Sequence, residues 1–134
     1  MRKTKTAWFI LSLILPWFPL LAQEKLEELE RAYEAAITQT DLNFTSKAIA
    51  EHLEEELKSI EVDISTVLIG SNKQRFEDAS AEWRKFRDEQ TEFESGLFEG
   101  GSIQPTIANI TFKNLTESRI EYLKVFREHY LRKN

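Results

Sequence analysis

Residues 76–102 read FEDASAEWRKFRDEQTEFESGLFEGGS, and the fold turns on how this stretch is read. Phe76, Ala79, Trp83, Phe86, Gln90, Phe93 and Leu97 recur at alternating gaps of three and four, and Gln90 alone interrupts the apolar run. Helical periodicity brings these seven onto one stripe and leaves Glu, Asp, Lys and Arg on the other faces. The stretch is therefore expected to be a long helix whose aromatic stripe faces the rest of the chain. Gly100 and Gly101 are expected to stop it, because glycine accepts positive φ at little cost. An aromatic stripe of this length needs a partner surface to match, so the segments on either side are expected to fold back onto it.

Those segments are helical in pattern too. Residues 44–68 place Ala48, Ile49, Leu53, Leu57, Ile60, Ile64 and Val67 on one face. Residues 61–69 are rich in Val and Ile and can also be read as a strand; helix is the expected outcome, since a lone strand in a helical chain has nothing to pair with. Ahead of them, residues 24–37 carry Leu26, Leu29, Tyr33 and Ile37 at helical spacing among acids and alanines. Residues 38–43 form a polar break in which Asn43 or Thr45 is expected to cap the next helix. Gly70-Ser71-Asn72 is the expected turn into the central helix. Downstream, Pro105 suits the first turn of a last helix whose inner face is expected to hold Ile107, Ile110, Leu115, Tyr122, Leu123, Phe126 and Tyr130. The expected fold is all-α: an antiparallel bundle of three long helices plus a shorter N-terminal one.

At 134 residues the chain has room for one domain. Its start reads as an export signal: Arg2, Lys3 and Lys5 precede an almost wholly apolar run, residues 7–21, and Leu20-Leu21-Ala22 offers a cleavage point before Gln23. Residues 1–22 are thus expected to be a signal peptide and 23–134 the mature domain, periplasmic or secreted; an uncleaved membrane anchor is the alternative. The run is short for a membrane span, and Pro16 and Pro19 weaken it, so no stable membrane insertion is expected after cleavage.

Cleavage there removes three basic residues and no acidic ones, which takes the formal net charge from −5 to −8. The excess is uneven: residues 24–63 hold 12 acidic and 4 basic residues, residues 64–134 hold 11 of each. Such a balance speaks against nucleic acid, whose binders cluster Lys and Arg. An acidic face would speed encounter with a cationic protein partner, although a solvated helix face also accounts for it.

Trp83-Arg84-Lys85-Phe86-Arg87-Asp88, then Glu99-Gly100-Gly101-Ser102, then Leu115-Thr116-Glu117-Ser118-Arg119, with Thr38-Gln39-Thr40-Asp41-Leu42-Asn43 upstream, form an ordered set of motifs. Together they resemble the LprI-like lysozyme-inhibitor domain family, including its YecT-like members, over roughly residues 33–123. The resemblance implies an exported inhibitor of a lysozyme-type muramidase rather than an enzyme. It also implies four cysteines where this chain has Tyr33, Thr45, Thr91 and Thr111, so this is a cysteine-free member, and its core must supply the stability that two disulfides would have added. A second departure is Glu54, Leu57-Lys58 and Glu61, where the family often has Asp, a Leu-Asn pair and Tyr.

Candidate sites are few. Without cysteine, and with His52 and His129 far apart in sequence, a nucleophilic centre is hard to assemble, and no enzyme activity or cofactor is expected. His52 with Glu55 and Glu56 has a spacing that could grip a metal, but a zinc site needs more His or Cys, so no metal is expected. The family-motif residues Trp83, Phe86, Arg87, Asp88 and Arg119 are expected to build the scaffold. Glu99, Gly100, Gly101 and Ser102 are the candidate partner contact: a protruding loop with bare backbone and a hydroxyl, able to enter a narrow cleft. The expected partner is a protein, a cationic muramidase being the leading reading and a non-lysozyme envelope component the alternative. Oligomeric state is not legible.

Overall fold

A computed structural model describes residues 17–131. Arg2, Lys3, Lys5 and the start of the apolar run lie outside the described residues. Four helices follow in order: α1 (Trp17–Glu34), α2 (Gln39–Val67), α3 (Gly70–Gly96) and α4 (Gln104–Phe126), the last continuing into a π-type turn at Arg127–Leu131. No strand occurs among the described residues, and the stretch with two readings, 61–69, is helical as far as Val67.

The ends of the helices have local causes. Thr38, not Asn43 or Thr45, caps α2: its hydroxyl accepts from the Asp41 N–H, while the Asp41 carboxylate accepts from the Thr38 N–H. Thr45 instead donates back to the Asp41 carbonyl within the helix, at 2.7 Å. Leu68 and Ile69 are extended, and Gly70 at φ +57° lets the chain reverse directly into α3. That helix ends at Gly96, earlier than the glycine pair at 100–101, because Leu97 to Gly100 coil into tight turns of their own. Pro105 occupies the first turn of α4, as expected.

Successive helices run antiparallel, which leaves α2 and α4 parallel to each other. Asn43 reaches Thr106 at one end of that pair, and Arg127 reaches Asp63 at the other. Between them lies the core: Ile49, Leu53, Leu57, Ile60 and Ile64 of α2 with Ile120 and Leu123 of α4. Leu26, Leu29 and Tyr33 of α1 close one side of it. Ile37 and Val67, expected to point inward, fall outside or at the end of their helices and are exposed.

The largest departure is α3. Its aromatic stripe faces the bundle only in part: Phe76 and Trp83 pack against the core, whereas Phe86, Phe93 and Leu97 are 52%, 63% and 71% exposed, and Ala79 is exposed as well. Phe76, Trp83 and Gln90 are half-buried at the border. The residues that α3 does bury are Ser80, Arg87 and Ser95. On α4 the expected inner face holds at Leu123 and Phe126, but Thr106, Thr111 and Thr116 are buried too, while Tyr122, and Tyr130 in the following turn, stand exposed. The reason lies in what has already filled the core. Aliphatic residues of α2 and α4 occupy the centre, so α3 meets the pair through small side chains and ion pairs, and its rotation follows the position of Arg87.

Candidate partner-binding site

Between α3 and α4 the chain makes a chain of tight turns. The N–H of Phe98 donates to Ser95, that of Glu99 to Gly96, that of Gly101 to Phe98 and that of Gln104 to Gly101, all within 2.9–3.1 Å. Two side chains brace the loop from outside: Gln104 Oε1 accepts from the Gly100 N–H, and Asn43 Nδ2 of α2 donates to the Ser102 carbonyl. Both glycines have a reason to be glycine. Gly100 sits at φ +77°, and a Cβ on Gly101 would come within 3.1 Å of the Phe98 carbonyl oxygen. Glu99, Gly100, Gly101 and Ser102 are all exposed, with Leu97, Phe98 and Ile103 exposed beside them and Phe44 on the adjoining first turns of α2. The result is a fixed protrusion at one end of the bundle, with bare backbone, one hydroxyl, one carboxylate and an apolar rim.

Trp83, Arg87, Asp88 and Arg119 come together elsewhere, at the α3–α4 contact. Arg87, 4% exposed, places Nη1 2.6 Å from Glu54 Oε2 and 3.4 Å from Thr116 Oγ1, and Nε 2.9 Å from Asp88 Oδ1. Its guanidinium lies 3.8 Å from the centre of the Phe112 ring and 5.3 Å from that of Trp83. Arg119 stacks near the same indole at 5.4 Å and near Tyr122 at 5.7 Å, and burial draws its pKa down from the usual arginine value. Arg84 reaches Glu61 at 2.6 Å and Glu54 at 3.6 Å, so two arginines of α3 span the gap to two glutamates of α2. Phe86 does not join this assembly; it points to solvent. Sequence reasoning missed Glu54, Glu61, Arg84, Phe112 and Thr116, although the departure from the family pattern at Glu54 and Glu61 was the visible sign of their special position.

A second polar tie holds the lower half of α3. Gln90 Nε2 and Thr111 Oγ1 both donate to the Glu94 carboxylate, at 2.8 and 2.7 Å, and these bonds hold its pKa below the ordinary glutamate value. Next to the arginines, a groove of about 380 Å³ between α2 and α3 is walled by Phe76, Val62 and Ala81, with Glu61 and Ser80 at its floor.

Glu55 pairs with Lys58 and Glu56 with Lys124, while His52 Nε2 is buried without a hydrogen-bond partner. No group of three or more metal-ligating side chains gathers among the described residues. His129 Nδ1 lies 3.0 Å from the Val125 carbonyl. Two asparagine amides are engaged: Asn43 donates to the Ser102 carbonyl, and Asn109 donates to Ser46 Oγ.

The described residues thus form a helical scaffold that presents one braced loop, with Arg87 and Arg119 held between its helices. The lysozyme inhibitor LprI family model matches residues 23–123. The chain belongs to that family. A search of curated proteins found no match, and neither did a search of solved structures. No helix among the described residues is long and apolar enough to cross a membrane.

Proposed function

We propose that the chain is exported, loses residues 1–22 and inhibits a cationic lysozyme-type muramidase by inserting Glu99–Ser102 into or across its substrate cleft. The braced loop carries this reading: a protruding turn that is already ordered loses little entropy on binding, which is how protein inhibitors gain affinity from few contacts. The family match supports the partner class, and its start at Gln23 coincides with the expected mature terminus. The acidic first half supports the encounter. Glu24, Glu27, Glu28 and Glu34 of α1 and Asp41, Glu51 and Glu55 of α2 are all exposed, so a basic enzyme would be drawn in by the complementary field.

The test is residual muramidase activity on peptidoglycan with residues 23–134, alongside Ser102→Ala and Gly101→Trp. Dose-dependent inhibition that Gly101→Trp loses while the helices stay folded is the expected result. The association rate is expected to fall about tenfold or more between low and high salt. Inhibition untouched by either substitution would move the contact away from the loop. Absence of inhibition against several lysozyme types would overturn the reading in favour of a different envelope partner.

A further inference from the structure

The exposed stripe on α3 has a regularity that the bundle does not use. Phe76, Ala79, Trp83, Phe86, Gln90, Phe93 and Leu97 keep gaps of 3-4-3-4-3-4, the spacing of an a/d seam carried over three heptads, with one polar residue at an a position. The bundle uses only Phe76 and Trp83 of these, which pack on its core, and buries Ser80, Arg87 and Ser95 of the neighbouring face. The d positions Ala79, Phe86 and Phe93, together with Leu97, are left facing solvent as one line that runs into the apolar rim of the loop. Nothing in the fold of this chain needs three turns of outward apolar residues in register.

The flanks say what fits. Asp78, Glu82, Glu89 and Glu92 border the line on its solvent side, against two basic residues, Arg75 and Lys85. On the other side the e positions Ser80, Arg87 and Glu94 are turned into the bundle, where Arg87 pairs with Glu54 and Glu94 accepts from Thr111. A second copy is a poor occupant. Antiparallel pairing would set Glu82 and Glu89 of one copy against those of the other, and parallel pairing would need Arg87 and Glu94, which are already engaged. We infer that the outward face of α3 is a docking surface for a protein partner that presents a helix-like apolar ridge flanked by Lys or Arg. This rests on the chain being a protein-binding module, as proposed above, but not on the partner being a lysozyme.

The experiment uses residues 23–134, which contain every residue of the hydrophobic core and Trp83 as the sole tryptophan. Trp83 borders the stripe, so its emission reports occupancy. The probes are three synthetic helical peptides with Leu at a and d and Lys, Gln or Glu at the flanking positions. The Leu/Lys peptide is expected to bind at least about tenfold tighter than the Leu/Gln one and to weaken with salt, and the Leu/Glu peptide is expected not to bind. Phe86→Ser with Phe93→Ser should abolish binding at unchanged melting temperature, and Glu82→Lys with Glu89→Lys should switch the preference to the Leu/Glu peptide. Equal binding of all three peptides, or binding indifferent to the serine pair, would overturn the inference. So would a wild-type dimer in sedimentation that the serine pair dissolves, which would make the occupant a second copy. The muramidase assay separates the two readings: inhibition by a protein that binds none of the three peptides sinks the stripe and leaves the inhibitor, whereas charge-selective peptide binding without any inhibition does the reverse.

Discussion

Helices α2 and α3 are close in length, 29 and 27 residues, and both carry a long helical stripe of apolar residues, broken in α3 only by Gln90, yet they use it differently. In α2 the stripe is the core: Leu53, Leu57 and Ile64 are almost wholly buried between α1 and α4. In α3 most of the stripe is surface; only Phe76 and Trp83 pack on the core, and the rest of the face that meets the bundle is built from Arg87, two serines and the paired Arg84 and Glu94. The difference teaches that apolar periodicity identifies a face without saying what it faces. Once α2 and α4 have filled the centre with aliphatic volume, a third long helix can be held by charge and small residues, and its own apolar stripe is released for another purpose.

The sharpest way to break this comparison is to delete one anchor from each helix. Leu57→Ala removes a fully buried side chain and is expected to cost about 3–4 kcal/mol in urea denaturation. Arg87→Ala leaves Glu54 leaning on Arg84 alone and opens space beside Phe112 and Trp83, with an expected loss of about 3 kcal/mol. If Arg87→Ala were nearly silent, α3 would not be held by its polar face. Thr38→Ala removes the cap of α2 and should cost about 1 kcal/mol by the same measurement. The Glu94 tie gives a pH signature. Its pKa is depressed first by the Gln90 hydrogen bond and then by that of Thr111, so its contribution is complete above the ordinary value of 4.5 and is lost as pH falls through the lower folded value. The fall in melting temperature between pH 6 and pH 3 should therefore be smaller in Glu94→Gln than in the parent. Smallest of all, Phe86→Ser with Phe93→Ser should leave stability within about 0.5 kcal/mol, because both rings already face water.

Much of the architecture was legible because local chemistry dictated it. The aliphatic face of α2, the proline at the start of α4 and the tight turn at Gly100-Gly101 all follow from residue type and spacing. The cap at Thr38 was legible in principle, since Thr38 and Asp41 stand at capping-box spacing ahead of an apolar run, but Asn43 and Thr45 sit closer to that run and drew the reading to them. The orientation of α3 was not legible. It depends on Glu54 and Glu61, more than twenty residues upstream, meeting Arg84 and Arg87, and no pattern within α3 records that meeting. The buried threonines of α4 were hidden for the same reason: Thr111 and Thr116 look like surface residues until Glu94 and Arg87 arrive to bond them. At the loop, the exposed position of Glu99–Ser102 was legible, whereas the bracing by Asn43 and Gln104 was a product of the tertiary fold.

The absence of cysteine from the chain makes the central claim directly measurable, because a single introduced thiol labels without background. Ala79 and Ser80 are neighbours on α3, the first on the outward line and the second 6% exposed against the bundle. Thiol labelling of Ala79→Cys and Ser80→Cys under native conditions compares the two faces at one point of the helix. The expected result is an Ala79→Cys rate near that of a free thiol and a Ser80→Cys rate slower by roughly a hundredfold, limited by opening of the helix. Fast labelling at 80 and protection at 79 would mean that the aromatic stripe is the buried one, and would contradict both the packing of α3 and the docking surface assigned to it.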